Sequence, residues 1–273
     1  MKRIVLILFL MFLAGEHAYG ESEESAVIDE EAAAGESADE SSLPASPLDR
    51  RLERERLSRR NPFSITPHKP NYLLPLTYNK SPNNEPFTGN DFTFDHTEVV
   101  FQLSFKVDLW HEFYRNNGYL SFAYTAQSFW QAYNTGNSSP FRETVHEPEL
   151  MLSFLTDYRI LGFRNRVITA GLVHQSNGRS GDLSRSWNRI YGNFIFEKDN
   201  LYITIKPWYR IPENEEDDDN PDINAYLGYG EIYALYYHKS NVFGLLLRNN
   251  LRSENRGSVR FDWSFPITEK LKG

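Results

Sequence analysis

From about residue 61 onward the chain alternates between apolar and polar positions. In Glu98 to Leu109, the residues Val99, Phe101, Leu103, Phe105, Val107 and Leu109 are apolar, and their alternates include Gln102, Ser104, Lys106 and Asp108. Successive side chains on a strand point to opposite faces, so this segment is a strand with one oily and one polar face. The same texture returns in Gly118 to Tyr133, Glu149 to Arg159, Val167 to Ser176, Asn188 to Glu197, Leu201 to Ile211 and Ser258 to Phe265. Asn71 to Asn79 is an earlier strand, and Ala225 to His238 and Val242 to Asn250 are ambiguous. About ten strands are expected, joined by short turns such as Asn116-Asn117-Gly118 and Lys198-Asp199-Asn200, with no helical period of any length between them.

Two all-β architectures alternate in this way. A soluble β-sandwich uses strands of about five or six residues. A strand that crosses a bilayer at a tilt needs about nine to eleven. Repeated strands of ten or more residues, aromatics near both strand ends and Lys or Arg on the polar face favour an antiparallel transmembrane β-barrel of the outer-membrane type, with a polar interior.

The amino terminus supports an extracytosolic setting. Lys2 and Arg3 precede the apolar run Ile4 to Ala14, and Ala18-Tyr19-Gly20 is a small-x-small cleavage site, so residues 1–20 read as a signal peptide. The chain has no Cys, which removes disulfides from consideration. Glu21 to Glu40 carries nine acidic residues and no basic one, while Asp49 to Arg60 carries six Arg against three acidic residues. Residues 21–60 therefore read as a disordered tail, with its Arg-rich end as a short charged helix, ahead of a near-neutral barrel domain at 61–273. The last residues, Glu269-Lys270-Leu271-Lys272-Gly273, have the composition of a turn, where an outer-membrane barrel ends on an apolar strand; the final strands are expected to be missing.

The distinctive chemistry lies in His174-Gln175-Ser176-Asn177-Gly178-Arg179-Ser180, followed by Ser184-Arg185-Ser186-Trp187-Asn188. His174 and Ser176 fall on one strand face, roughly 7 Å apart. Their face also carries Ile168, Ala170 and Leu172, and it is the oilier one; Asn188 lies on the matching face of the next strand, beside Ile190. A hydroxyl near an imidazole, with a third polar group to fix the ring, is the logic of a nucleophile, its base and an orienting residue. A pore has its polar groups in the lumen. A His, a Ser and an Asn on the lipid side of two neighbouring strands suit an enzyme whose substrate lies in the bilayer.

These residues also carry a resemblance. HQSNGRS…SRSWNR is similar to the signature of the outer membrane phospholipase A family, as are NSSPFRET (Asn137 to Thr144), EPELML with TDYR (Glu147 to Arg159), KPWY (Lys206 to Tyr209) and NPDI (Asn220 to Ile223). The resemblance runs from Asn61 to the end. It implies a twelve-stranded barrel in the bacterial outer membrane that hydrolyses acyl esters of membrane phospholipids, of A1, A2 and lysophospholipase type. It implies Ser176 as nucleophile, His174 as general base, Asn188 as the residue that orients His174, and the Gly178 backbone N–H as an oxyanion donor. Ca²⁺ is the implied cofactor, held by the Arg179 carbonyl, the Ser184 hydroxyl and Ser138 of the partner subunit in an activating homodimer. No nucleic-acid partner is expected. Two positions depart from the family: Ala126 stands where the dimer face can carry a Gln, with Gln127 pointing inward, and Ser180-Gly181-Asp182 displaces the acid that can follow the Ser in a second calcium site near Asp219. The acidic run Glu213 to Asp219 reads as a solvated loop. The alternatives are a non-catalytic outer-membrane pore or binding barrel, and an esterase for other lipid esters.

Overall fold

The computed structural model describes residues 46–61, 64–84, 93–214 and 218–268. The expected signal peptide, the acidic tail up to residue 45 and the terminal turn at 269–273 lie outside the described residues. One antiparallel sheet contains eleven strands. They are β1 (Thr66–Pro67), β2 (Tyr72–Tyr78), β3 (Thr97–Tyr114), β4 (Asn117–Trp130), β5 (Phe141–Ile160), β6 (Phe163–Ser176), β7 (Ser186–Lys198), β8 (Leu201–Ile211), β9 (Gly230–His238), β10 (Asn241–Asn249) and β11 (Gly257–Ser264). From β3 to β11 each strand pairs with the next in sequence, while β1 and β2 both pair with β3. Strands β3 to β8 have 18, 14, 20, 14, 13 and 11 residues, each long enough to span a bilayer at a tilt. Among the described residues no helix is long and apolar enough to cross a membrane.

The two faces of the sheet are those the alternation predicts. Leu103, Leu109, Leu150, Leu172, Ile190, Phe261 and Trp263 are exposed on the outer face. Ser104, Ser121, Thr125, Glu149, Thr169, Arg189 and Asp262 are buried on the inner one. This is the wall of a transmembrane barrel: the outside is apolar, and the inside consists of polar groups that bond to one another across strands. Ser104 meets Thr125 at 2.7 Å, and Ser153 meets Thr169 at 2.8 Å.

The two ends of the wall differ. At one end the strands turn tightly. Arg115 and Asn116, Leu161 and Gly162, Asp199, and Lys239 all have positive φ, the geometry that joins two strands in the fewest residues. At the other end the connections are longer, at 131–140, 177–185, 212–229 and 250–256. The site residues lie at this end.

The Arg-rich stretch forms the short charged helix its composition suggests, but as an element docked on the wall rather than as part of a disordered tail. Residues Pro47–Ser58 form helix α1, with Ser46 accepting the Asp49 N–H at 3.1 Å and Pro47 at the first helical position. The helix is held by ion pairs: Glu55 to Lys106 at 2.7 Å, Arg59 to Asp108 at 2.6 Å, and Asp49 to Arg166. Lys106, Asp108 and Arg166 lie toward the tight-turn end, so α1 covers the lumen opposite the site. The ambiguous stretch from Ala225 resolves into a short helix α2, Ile223–Leu227, and then β9. Beneath the site, Ala123, Met151, Val173, Trp187, Tyr191 and Trp208 form an apolar plug inside the wall, against which Ile223 and Leu227 of α2 pack.

Candidate active site

The site is assembled by strand register. His174 on β6 is the direct cross-strand partner of Asn188 on β7. Both side chains point outward, and the His174 Nδ1–H donates to Asn188 Oδ1 at 2.9 Å. Ser176 lies two residues further along the same face, opposite Ser186 on β7 and His146 on β5. His174 is exposed, and Ser176 and Asn188 are half-buried. Among the described residues no hydrogen bond joins Ser176 Oγ to His174. The hydroxyl rotates about χ1, and such contacts commonly tighten only when substrate is bound.

The intervening residue points the other way and anchors the strand. Gln175 Oε1 accepts from Trp187 Nε1 at 3.0 Å and from Arg189 at 3.1 Å, inside the lumen. The backbone that carries the imidazole and the hydroxyl is thereby pinned from behind. Asn177 performs the same service for the loop after β6. Its Oδ1 accepts from the Arg185 backbone N–H at 3.0 Å, and its Nδ2 donates to the Leu183 carbonyl at 2.8 Å. The loop folds back on itself, and Gly178 at its turn adopts φ +66°, the left-handed region that favours glycine.

A second imidazole flanks the serine. His146 lies on the outer face across from Ser176, and its Nδ1 bonds to the Tyr124 hydroxyl at 2.6 Å. Only His174 has a carboxamide behind it.

The acidic loop corrects another expectation. Its composition reads as solvated, but its described carboxylates are engaged. Glu213 Oε1 accepts from Asn188 Nδ2 at 2.8 Å. Asp218 pairs with Arg210. Asp219 accepts from Ser184 Oγ at 2.6 Å and from Ser186 Oγ at 2.9 Å. Those hydroxyls, Ser184 first and Ser186 second, hold the Asp219 carboxyl below the usual carboxylate range. Neither the role of Glu213 nor that of Gln175 is legible in the sequence; both need the register to be known.

The expected calcium ligands divide. Arg179 and Ser184 share the 177–185 loop, and Ser184 adjoins the Asp219 carboxylate. Ser138 belongs to a different loop, the β4–β5 connection, where it is exposed and at φ +59°. Among the described residues no three His, Cys, Asp or Glu side chains form a group that could hold a metal ion. Hydroxyl and carbonyl oxygens with one carboxylate remain, a donor set that suits a hard cation. Of the two departures, Ala126 is confirmed on the outer face between Leu103 and His146, and Gln127 points inward to donate to the Tyr72 hydroxyl at 2.5 Å.

Comparison with known proteins locates this arrangement. A family model described as Phospholipase A1 matches residues 48–273. Phospholipase A1 of Escherichia coli K12 is 38% identical over 214 residues, which cover 78% of this chain and 72% of that relative. The structure of outer membrane phospholipase A from Escherichia coli superposes with a TM-score of 0.71 at 38% identity, covering 76% of this chain and 85% of that one. A crystal structure of the Salmonella typhi outer membrane phospholipase, a dimer with bound calcium, gives the same TM-score of 0.71 and identity of 38%, with coverage of 77% and 80%.

Proposed function

The chain belongs to the phospholipase A1 family, and from that premise we propose that it hydrolyses the acyl esters of glycerophospholipids in the bacterial outer membrane, as a calcium-dependent homodimer. The observation that carries the mechanism is the hydrogen bond from His174 to Asn188 on the lipid-facing side of the wall. With its Nδ1 proton held there, His174 presents the bare Nε2 toward the end of the strand that carries Ser176.

Ser176 Oγ attacks the acyl carbonyl carbon while His174 Nε2 takes its proton. The carbonyl π pair moves onto oxygen, where the Gly178 N–H receives it. Collapse breaks the bond to the glycerol oxygen, which leaves with the proton from His174, and an acyl-enzyme remains on Ser176. Water then attacks the acyl group as His174 again takes the proton, and free fatty acid departs with Ser176 restored. Substrates with the ester at either glycerol position, and lysophospholipids, present the same carbonyl to this face.

Asn188 holds the imidazole tautomer without placing a bare charge beside lipid. The Arg179 carbonyl, the Ser184 hydroxyl and Ser138 of the partner subunit would hold Ca²⁺, whose chemistry is to polarise a water toward the developing oxyanion. If Ser138 of the partner subunit completes the ligand set, dimerisation is a switch for the site. The exposed Leu103 and Leu150, with the half-buried Ala126, lie on the face that the partner would cover.

The test is fatty-acid release from detergent-dispersed phospholipid by the full chain, with calcium and with chelator, beside Ser176→Ala. Calcium-dependent release that vanishes in the variant supports the reading. No release from a folded barrel with calcium present overturns it in favour of a non-catalytic barrel.

A further inference from the structure

We infer that Glu213 is a positioning residue of this site: its carboxylate locks the Asn188 carboxamide with the oxygen, not the nitrogen, turned toward His174. The inference rests on the hydrolase reading above and extends it to a fourth side chain.

The need arises from the chemistry of an amide. A carboxylate behind a catalytic His offers an acceptor whichever way it rotates. A carboxamide has two unlike ends, and a half-turn exchanges them. With Oδ1 toward His174, the ring carries its proton on Nδ1, and Nε2 is free to act as a base. With Nδ2 toward His174, the amide donates, the ring proton moves to Nε2, and no lone pair faces Ser176. Half of the amide's orientations therefore disable the site, and something must select the other half.

Glu213 is placed to do so. Asn188 on β7 is the cross-strand partner of Ile211, the last residue of β8. Glu213 follows two residues later, with Pro212 between them fixing the backbone as it leaves the strand. The side chain returns to the outer face, where Oε1 accepts the Asn188 Nδ2–H at 2.8 Å. A carboxylate has only lone pairs to offer, so it can bind the NH₂ end alone. The amide flip is thereby decided, and the second amide hydrogen bond is charge-assisted. The negative charge pushes electron density toward Oδ1, which strengthens its hold on the imidazolium as that forms. The site thus obtains part of the effect of an acidic third member while the charge itself sits at the loop, in the half-buried position of Glu213 rather than against the ring.

The proposal predicts a specific interaction with Asn188 rather than general support of the loop. Glu213→Ala, Glu213→Gln and Asn188→Asp, alone and in combination, are compared in the full-length dimeric protein with calcium in phospholipid micelles. The readouts are kcat, KM and the rate at which a long-chain alkyl fluorophosphonate labels Ser176. Glu213→Ala is expected to lower kcat and the labelling rate by about 10- to 100-fold with little change in KM, the usual loss when a supporting partner is removed. Glu213→Gln, whose own amide can turn either an acceptor or a donor toward Asn188 and so selects neither orientation, is expected to stay impaired, closer to Glu213→Ala than to the wild type. In Asn188→Asp, where both oxygens accept and no flip needs selecting, Glu213→Ala is expected to cause no further loss, and to raise kcat by relieving two facing carboxylates.

If Glu213→Ala causes a loss of similar size with Asn188 in place and in the Asn188→Asp variant, Glu213 is a loop support and the proposal is overturned. So would it be by a Glu213→Gln as active as the wild type, since a side chain that can also donate would then serve as well as a carboxylate; that result decides the matter even if Asn188→Asp is itself inactive. Failure of the hydrolase reading shows separately, as a wild-type protein that neither releases fatty acid nor takes the label.

Discussion

The inner and outer faces of β6 and β7 carry polar groups of similar kind to different ends. On the inner face the described charges are gathered into ion pairs. Glu149, which is 1% exposed, accepts from Tyr191 at 2.8 Å and from His68 at 3.2 Å, and it pairs with Lys69 at 2.7 Å. Lys69 also pairs with Glu147, which meets Arg189 at 3.3 Å. Such a network is closed on itself: its carboxylates are held by neighbouring cations. On the outer face the polar groups are few, and they form a line: Glu213 to Asn188 to His174, with Ser176 beyond. A closed network gives the barrel its shape, whereas an open-ended line leaves a hydroxyl and an imidazole free for the proposed chemistry. Gln175 joins the two, since it belongs to the inner network and lies between His174 and Ser176.

The comparison breaks most sharply at its outer end. Asn188→Ala is expected to cut kcat by about 10²- to 10⁴-fold, because the ring loses the acceptor that fixes its tautomer. The folding free energy should stay within about 0.5 kcal/mol, as the side chain lies at the rim of the wall and outside its buried network. Activity in micelles and urea unfolding in the same detergent measure both. Loss of fold together with activity would mean that the outer line is structural after all. The inner counterpart reverses the outcome. Glu149→Ala leaves Lys69, Lys206 and His68 facing a vacancy, and removing one partner of a buried ionic cluster costs about 3–5 kcal/mol. Unfolding should shift to markedly lower urea while the folded fraction keeps its kcat. A normal unfolding midpoint would show that the inner charges are hydrated and independent.

The sequence made the faces legible because alternation is a local signal. Leu103 against Ser104, or Leu172 against Val173, needs no partner strand to be read. The placement of His174, Ser176 and Asn188 on one oily face followed from counting by twos, and register then put His174 opposite Asn188. The missed features depend on contacts distant in sequence. α1 is legible as a short charged helix but not as a docked one; what holds it to the wall is Lys106, Asp108 and Arg166, up to 117 positions away. Glu213 sits in an acidic run whose composition is that of a solvated loop, and only the pairing of Asn188 with Ile211 shows where its carboxylate goes. Local periodicity reveals which side of a wall a residue occupies, and cross-strand register reveals what it meets there.

The smallest test uses one substitution on both faces. Gly171 on β6 points inward and is the register partner of Tyr191, whose ring lies over it where a Cβ would be. Gly192 on β7 points outward, and a Cβ there would meet only the edge of Phe194, at 3.2 Å. Gly171→Ala must displace a ring that is held at its hydroxyl by Glu149 and on its face by Lys206, 3.9 Å from the ring centre. Overpacking at such a site costs about 1–3 kcal/mol. At Gly192→Ala the Phe194 ring edge can swing toward lipid, and the lost backbone freedom of the unfolded chain favours the variant by up to about 1 kcal/mol. Urea unfolding of the two variants should therefore move in opposite directions. Equal destabilisation would mean that the outer face is packed as tightly as the inner one, as it would be if a partner subunit stayed bound across Phe194 throughout the measurement; repeating the experiment at dilution, where the dimer dissociates, would then restore the difference.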